Sequence, residues 1–243
     1  MSKPPDNAHL PPEQLEPADD PAEPKPSGTV VAVRDGSAGV EVLLLQRAVR
    51  PGQDGAAPWV FPGGKVEPDD HARGDGDAEQ SARHAAVREA HEEARLVVEP
   101  SELVTISRWI TPAMRTKRFD TWFFLARVEG NPAIEVDGQE IGDHAWLTPA
   151  EAIGRYRARA LALAPPTFVT VTWLLDHPDT AAASATLSAA EILTFRPQIH
   201  RIEGGACILY PGDAGYEDGT LEHDGPRHRL WSDGGLFRYE RES

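Results

Sequence analysis

The chain has little of what would mark it as secreted, membrane-spanning or nucleic-acid-binding. Its one cysteine, Cys207, allows no disulfide within the chain, which suits a reducing cytoplasm. Flanked by Ala206 and Ile208, that thiol reads as a small core residue and not as a nucleophile. Lysine is confined to Lys3, Lys25, Lys65 and Lys117, and the formal net charge is −15. So acidic a surface repels nucleic acid, and an anionic ligand would need a cation or a few placed arginines. No apolar run approaches the ~20 residues that span a bilayer. The polar, proline-rich start does not read as a signal peptide, and the nine histidines show no metal-ligand spacing.

What is present suffices for one sizeable core, or for one core plus a small appended lobe, since 40% of the 243 residues are hydrophobic. Residues 1–27, rich in Pro, Asp and Glu, are expected to be a disordered tail. Residues 28–180 then form the main domain and 181–243 a β-rich C-terminal extension. Thr29–Val33 and Val40–Gln46 flank the turn signal Asp35-Gly36-Ser37 and predict a hairpin. Pro51–Pro58 reads as a loop, Trp59-Val60-Phe61 as a short strand ended by Pro62-Gly63-Gly64, and Asp69–Asp77 as a surface loop with nothing to bury. A helix is expected over Glu79–Arg95, with Val87, Ala90 and Ala94 at helical spacing. Strands follow at Leu103–Trp109, Phe119–Val128 and Ala145–Leu147, then helices from Thr148-Pro149 and from Pro166 to Leu175. The stretch Asp179–Ala190 reads as a loop or a weak helix. Four short strands are expected at Ile199–Glu203, Ala206–Tyr210, Arg227–Trp231 and Leu236–Tyr239. Arg227 and Arg229 read as a turn and an alternating strand, with phosphate contact as the other reading. The order favours an α+β fold.

The chemistry concentrates in Arg88-Glu89-Ala90-His91-Glu92-Glu93. On a helix Glu89, Glu92 and Glu93 share one face, where three carboxylates repel one another unless a cation compensates. Hard divalent ions such as Mg²⁺ or Mn²⁺ prefer such all-oxygen donors. Arg88 stands beside the cluster and could hold one carboxylate in place. A solvated acidic helix face is the plain alternative, against which the preceding strand and glycine bend weigh.

With Gly64 before it, this hexapeptide resembles the box of the Nudix hydrolase family, G-x5-E-x7-R-E-U-x-E-E-x-G-U. Gly64, Arg88, Glu89, Glu92, Glu93 and Leu96 match it. The resemblance implies an α/β/α sandwich with a mixed sheet. It also implies Glu89, Glu92 and Glu93 as ligands of Mg²⁺ or Mn²⁺, joined by the carbonyl of Gly64, with Arg88 orienting them. The departures are specific. Gly64 and Arg88 are ten residues further apart than in the box, and the excess is assigned to Asp69–Asp77. The middle glutamate would fall at Gln80, beside Glu79. The box glycine is Arg95, which is expected to end the helix in some way other than glycine's left-handed turn.

Trp109-Ile110-Thr111-Pro112, Lys117 through Phe124, Trp146 through Ala152 and Pro165-Pro166-Thr167 resemble the branch of that family containing coenzyme A diphosphatases. That resemblance implies hydrolysis of a nucleoside diphosphate linked to another group, with coenzyme A or acyl-CoA as candidates and a small nucleotide-diphosphate molecule as the partner. The residues themselves do not choose coenzyme A over ADP-ribose, NADH or a nucleotide sugar, and a nucleotide sensor without turnover stays open. Glu140, in the loop Asp137-Gly138-Gln139-Glu140, is a candidate base or extra ligand, with Glu93 the other candidate base. Arg47, Arg118 and Phe119 are candidate substrate contacts, each with a plain structural reading beside it.

Overall fold

The computed structural model describes residues 21–48, 57–113 and 117–242; most of the expected tail and of the Pro51–Pro58 loop lies outside them. Strand β1 (Lys25–Gly36) begins inside the stretch read as tail, and Ser27 is already buried. It turns back through Gly36, opposite Gly39, into the antiparallel strand β2 (Gly39–Arg47), the hairpin expected from Asp35-Gly36-Ser37.

These two strands organise an eight-stranded mixed sheet. Strands β3 (Trp59–Val60) and β7 (Ile141–Leu147) pair with β2, and β4 (Gly63–Lys65) pairs with β1. Strand β6 (Phe119–Arg127) runs parallel to β1, and β5 (Val104–Ile110) lies antiparallel to β6. Val30 to Val33 are wholly buried, because both faces of the sheet are covered and a central strand then reads as a continuous apolar run. Helix α1 (Pro68–Arg73) precedes α2 (Ala78–Ala94), which packs on Val30, Ala32, Leu43, Leu45 and Phe124. On the other face lie α3 (Pro149–Arg157), α4 (Pro165–Trp173) and α5 (Thr180–Ala189), over Val31, Val33, Leu44 and Leu125. The architecture is the α/β/α arrangement expected.

Strand β8 (Leu193–Phe195), absent from the sequence reading, joins the edge of the sheet parallel to β5. Three residues carry too little periodicity to announce a strand; the partner makes it one. Strands β9 (Gln198–Ile202), β10 (Gly205–Leu209), β11 (His228–Asp233) and β12 (Leu236–Arg241) follow as a second antiparallel sheet. Ile208, Tyr210 and Leu230 on its inner face belong to the same core cluster as Trp109 and Phe195, whose rings stack at 3.7 Å. Tyr156 of α3 accepts a 2.8 Å hydrogen bond from the Phe237 amide, tying β12 to the helix layer. Cys207 is buried, and burial pushes its thiol up to about 11, which leaves it protonated and unreactive at neutral pH.

Asp69–Asp77 is not a loop with nothing to bury: Pro68 starts α1, the Glu67 amide donates to Asp70, and Asp70 is 3% exposed. An acid can be buried there because a cation meets it, as described below. Arg95 also ends α2 in the left-handed conformation expected only of glycine, with φ 52° and ψ 20°. Its amide bonds to the His91 carbonyl at 3.0 Å, which offsets part of the steric penalty of a Cβ in that region.

Candidate active site

Helix α2 presents alanines to the sheet because the sheet lies directly against it. Asp77 caps its start by accepting from the Gln80 amide at 2.8 Å. Ala82, Ala86, Ala90 and Ala94 are wholly buried, and a Cβ at Gly28 of β1 would fall 1.9 Å from the Ala82 carbonyl oxygen. Val87, expected on this buried face, is only half-buried, and Ala86 takes the inward position. The helix then has its next positions free to meet the bend at Pro62-Gly63-Gly64.

That meeting is close. The Gly63 amide donates to Oε2 of Glu93 at 2.9 Å. A Cβ at Gly64 would lie 2.0 Å from Oε1 of Glu89, so glycine is needed where the carboxylate stands. The Thr29 hydroxyl and the Val30 amide both donate to the Pro62 carbonyl, at 2.6 and 2.9 Å, and hold the bend on β1. Glu93 is 7% exposed. Its pKa is pushed up to about 7, chiefly by burial, with Glu89 and Glu140 adding to the rise and the Gly63 amide and Arg47 opposing it. Burial also raises Glu89, with Arg88 opposing and Glu92 and Glu140 adding to the shift.

Arg88 is the hub of the outer side of this cluster. Its guanidinium donates to Oδ2 of Asp70 at 3.0 and 3.2 Å, to Glu89 at 3.0 Å, to Glu92 at 3.1 Å and to the Lys65 carbonyl at 2.9 Å. Asp70 was not among the residues singled out from sequence, yet five residues separate it from Gly64, the spacing of the box glutamate. The extra residues therefore fall after the middle acid, not before it, and aspartate stands in place of glutamate. The two positions weighed for that role are engaged elsewhere or elsewhere placed. Glu79 accepts from Arg83 at 3.0 Å and from the Thr105 hydroxyl at 2.5 Å, and Gln80 lies in the exposed first turn.

Of the residues expected at the site, Gly64, Arg88, Glu89, Glu92 and Glu93 come together, and Glu140 and Arg47 are near enough to act on Glu93. Arg118 and Phe119 do not join them by any hydrogen bond. Arg118 donates to the carbonyls of Thr111 and Ala22, and the Phe119 amide donates to the Thr111 hydroxyl at 3.0 Å. Among the described residues no three Asp, Glu, His or Cys side chains are gathered around one point closely enough to hold a metal ion. Arg88 engages Glu89 and Glu92, Glu92 being more than half exposed, while Glu93 turns to Gly63. The donors nonetheless fit a hard divalent cation in kind: they are carboxylates only, two of them partly desolvated and mutually repelling beside a bend with no Cβ to fill the space.

Comparison with known proteins agrees with this frame. Residues 24–168 match the model of the NUDIX domain. The chain is similar to the acyl-coenzyme A diphosphatase NUDT19 of Xenopus laevis, 28% identical over 121 residues, or 46% of this chain and 31% of that protein. To the human protein of the same name it is 36% identical over 72 residues, or 29% of this chain and 19% of that protein. It thus aligns with less than a third of either relative's length. A crystal structure of a NUDIX hydrolase from Alicyclobacillus acidocaldarius shares the fold with a TM-score of 0.59 at 23% identity, over 70% of this chain and 99% of that one. Among the described residues no helix is long and apolar enough to cross a membrane.

Proposed function

Since the chain belongs to the NUDIX family, on a match running from residue 24 to 168, we propose that it hydrolyses the diphosphate linkage of a nucleoside diphosphate joined to another group. The observation that carries this reading is the desolvated pair Glu89 and Glu93, seated on Gly64 and Gly63 with Glu140 near enough to act on both. Excess negative charge with raised pKa values is what a site for a cation and a proton acceptor needs. Glu89, Glu92, Glu93 and the Gly64 carbonyl would hold Mg²⁺ or Mn²⁺. When bound, the cation would neutralise diphosphate oxygens and acidify a water.

The chain's own residues supply the rest. Arg88 orients Glu89 and Glu92 and is itself held by Asp70. Glu140 or Glu93 takes the proton of the attacking water. Arg47 stands exposed beside Glu93 and offers a guanidinium to a phosphate oxygen. Coenzyme A or an acyl-CoA is the first substrate to try, since the relatives named above are called acyl-coenzyme A diphosphatases. Cleavage would give adenosine 3′,5′-bisphosphate and a phosphopantetheine. Incubation with coenzyme A, ADP-ribose and NADH, with Mg²⁺ or Mn²⁺ and mass spectrometry of the products, tests this. Two phosphomonoesters per substrate are expected. Tight binding without turnover across the panel would favour a nucleotide sensor instead.

Asp70→Asn gives a second test. Losing the charged partner lets Arg88 and the acids it holds move. The metal concentration for half-maximal rate is expected to rise about 10- to 100-fold, the usual range when an orienting partner is removed. An unchanged metal dependence would detach Asp70 from the site.

A further inference from the structure

We propose that Asp137 is a positioning residue for Glu140: its carboxylate gathers the amides of the turn and so sets where Glu140 stands over the acids of α2. This rests on the hydrolytic reading above, in which Glu140 is a proton acceptor or ligand.

Glu140 is exposed and sits in a turn between strand segments, where a side chain would ordinarily wander. The backbone here is pinned from two sides. On one side Oδ1 of Asp137 accepts hydrogen bonds from the amides of Gln139, Glu140 and Ile141, at 3.0, 3.1 and 2.9 Å. Oδ2 accepts from the Glu140 amide as well, at 3.3 Å. Three amides converging on one anion form a nest filled by the chain's own carboxylate. Gly138, at φ +70°, allows the tight path, and its amide donates to the Ile141 carbonyl at 3.0 Å. On the other side the Glu140 carbonyl accepts from the Ala48 amide at 2.7 Å, and Ile141 is 1% exposed in the core under α2.

The register adds a reason for this precision. Gln46 faces Asp143 but Arg47 faces Ile141, so β7 carries one extra residue, Gly142, against β2. Such a bulge redirects the side chains beside it. Here the neighbours are Glu140 and Arg47, and both act electrostatically on Glu93. A group that accepts a proton must stand within hydrogen-bond reach of the water it serves, so a rigid backbone matters more for Glu140 than for an ordinary turn residue. Asp137 itself lies in an exposed loop, and its loss should leave the core intact.

The experiment is a double-mutant cycle of Asp137→Ala and Glu140→Gln in the full chain, with Asp137→Asn as the conservative variant. Asp137→Ala should lower kcat about tenfold with KM within twofold, as expected for misplacing a reacting group. Asp137→Asn keeps an acceptor oxygen and should recover most of the rate. In the Glu140→Gln background Asp137→Ala should cost nothing further, because the group it positions is already gone. Amide hydrogen exchange at Gln139, Glu140 and Ile141 should be slow in the parent and fast in Asp137→Ala, while the melting temperature stays within about 2 °C. A further tenfold loss in the Glu140→Gln background, or fast exchange in the parent, would overturn the inference alone. Full activity of Glu140→Gln would likewise overturn the inference alone, with Glu93 left as the proton acceptor, whereas no hydrolysis of any diphosphate would overturn it together with the reading on which it rests.

Discussion

Glu93→Gln is expected to lower kcat by roughly two to three orders of magnitude while the protein stays folded, the loss typical when a proton acceptor or ligand charge is removed. Glutamine has the same shape and still offers an oxygen to the Gly63 amide, now 2.9 Å from Glu93. What disappears is the charge at a position only 7% exposed. Burial of that charge is the main reason its pKa lies near 7, so in the metal-free protein the neutral amide should be no less stable than the carboxylate. Activity and melting are therefore expected to separate: a large fall in rate with an unchanged or higher melting temperature. Glu92→Gln should also lose rate, with a smaller effect on melting because Glu92 is mostly exposed. Glu79→Gln is the control, since Glu79 pairs with Arg83 and Thr105, and its rate should change little. Near-normal rates in both Glu92→Gln and Glu93→Gln would remove the acids of α2 from the chemistry.

The second large effect concerns stability. Asp213→Ala is expected to cost about 3–5 kcal/mol, because it leaves the Arg229 guanidinium buried without its counter-charge. In a chain of this size that is a fall of roughly 10 °C in melting temperature. Arg229 is 2% exposed and grips Asp213 through two hydrogen bonds, at 2.7 and 2.6 Å. Asp213 also accepts from the amides of His228 and Gly215, at 2.8 and 2.9 Å. Arg229 is thus internal scaffolding and not a phosphate grip.

The same pair sets a pH dependence. Burial alone would raise the Asp213 pKa, but Arg229 and the two amides outweigh it and hold the value at about 2. A carboxyl depressed on folding contributes stability above its unfolded pKa and loses it as pH falls through the folded value. The window therefore runs from pH ~4 down to pH ~2, and the contribution is about 2 kcal/mol. Urea unfolding at steps across that window should show a loss about 2 kcal/mol larger in the parent than in Asp213→Asn, since other depressed carboxyls such as Asp218 and Asp35 titrate in both. Parallel curves for the two proteins would mean that Asp213 is not the group responsible.

Legibility from sequence followed how local each interaction is. The hairpin of β1 and β2, the helix α2 and the acids at its end were readable because turn chemistry and helical spacing act within a few residues. Asp70 was harder. Its burial depends on Arg88, eighteen residues on, so an acid in a polar stretch looked like surface. Arg95 differs for a related reason: glycine is the usual left-handed terminator, and here the helix-end bond from the Leu96 amide to the Ala90 carbonyl, with Leu96 1% exposed, accompanies an arginine in that conformation. The extension could be read as β-rich from its strands, but β8 could not, since three residues become a strand only beside β5.

The order of amino acids by itself determined the family, the mixed α+β architecture and the run of carboxylates on one helix, because periodicity and short motifs carry that information. Only the tertiary structure decided that Asp70 holds Arg88 and that Asp213 holds Arg229. It alone decided that the final four strands share one core with the sheet. Those outcomes depend on burial and on partners distant along the chain, and a charge's environment does not exist until the chain has folded around it.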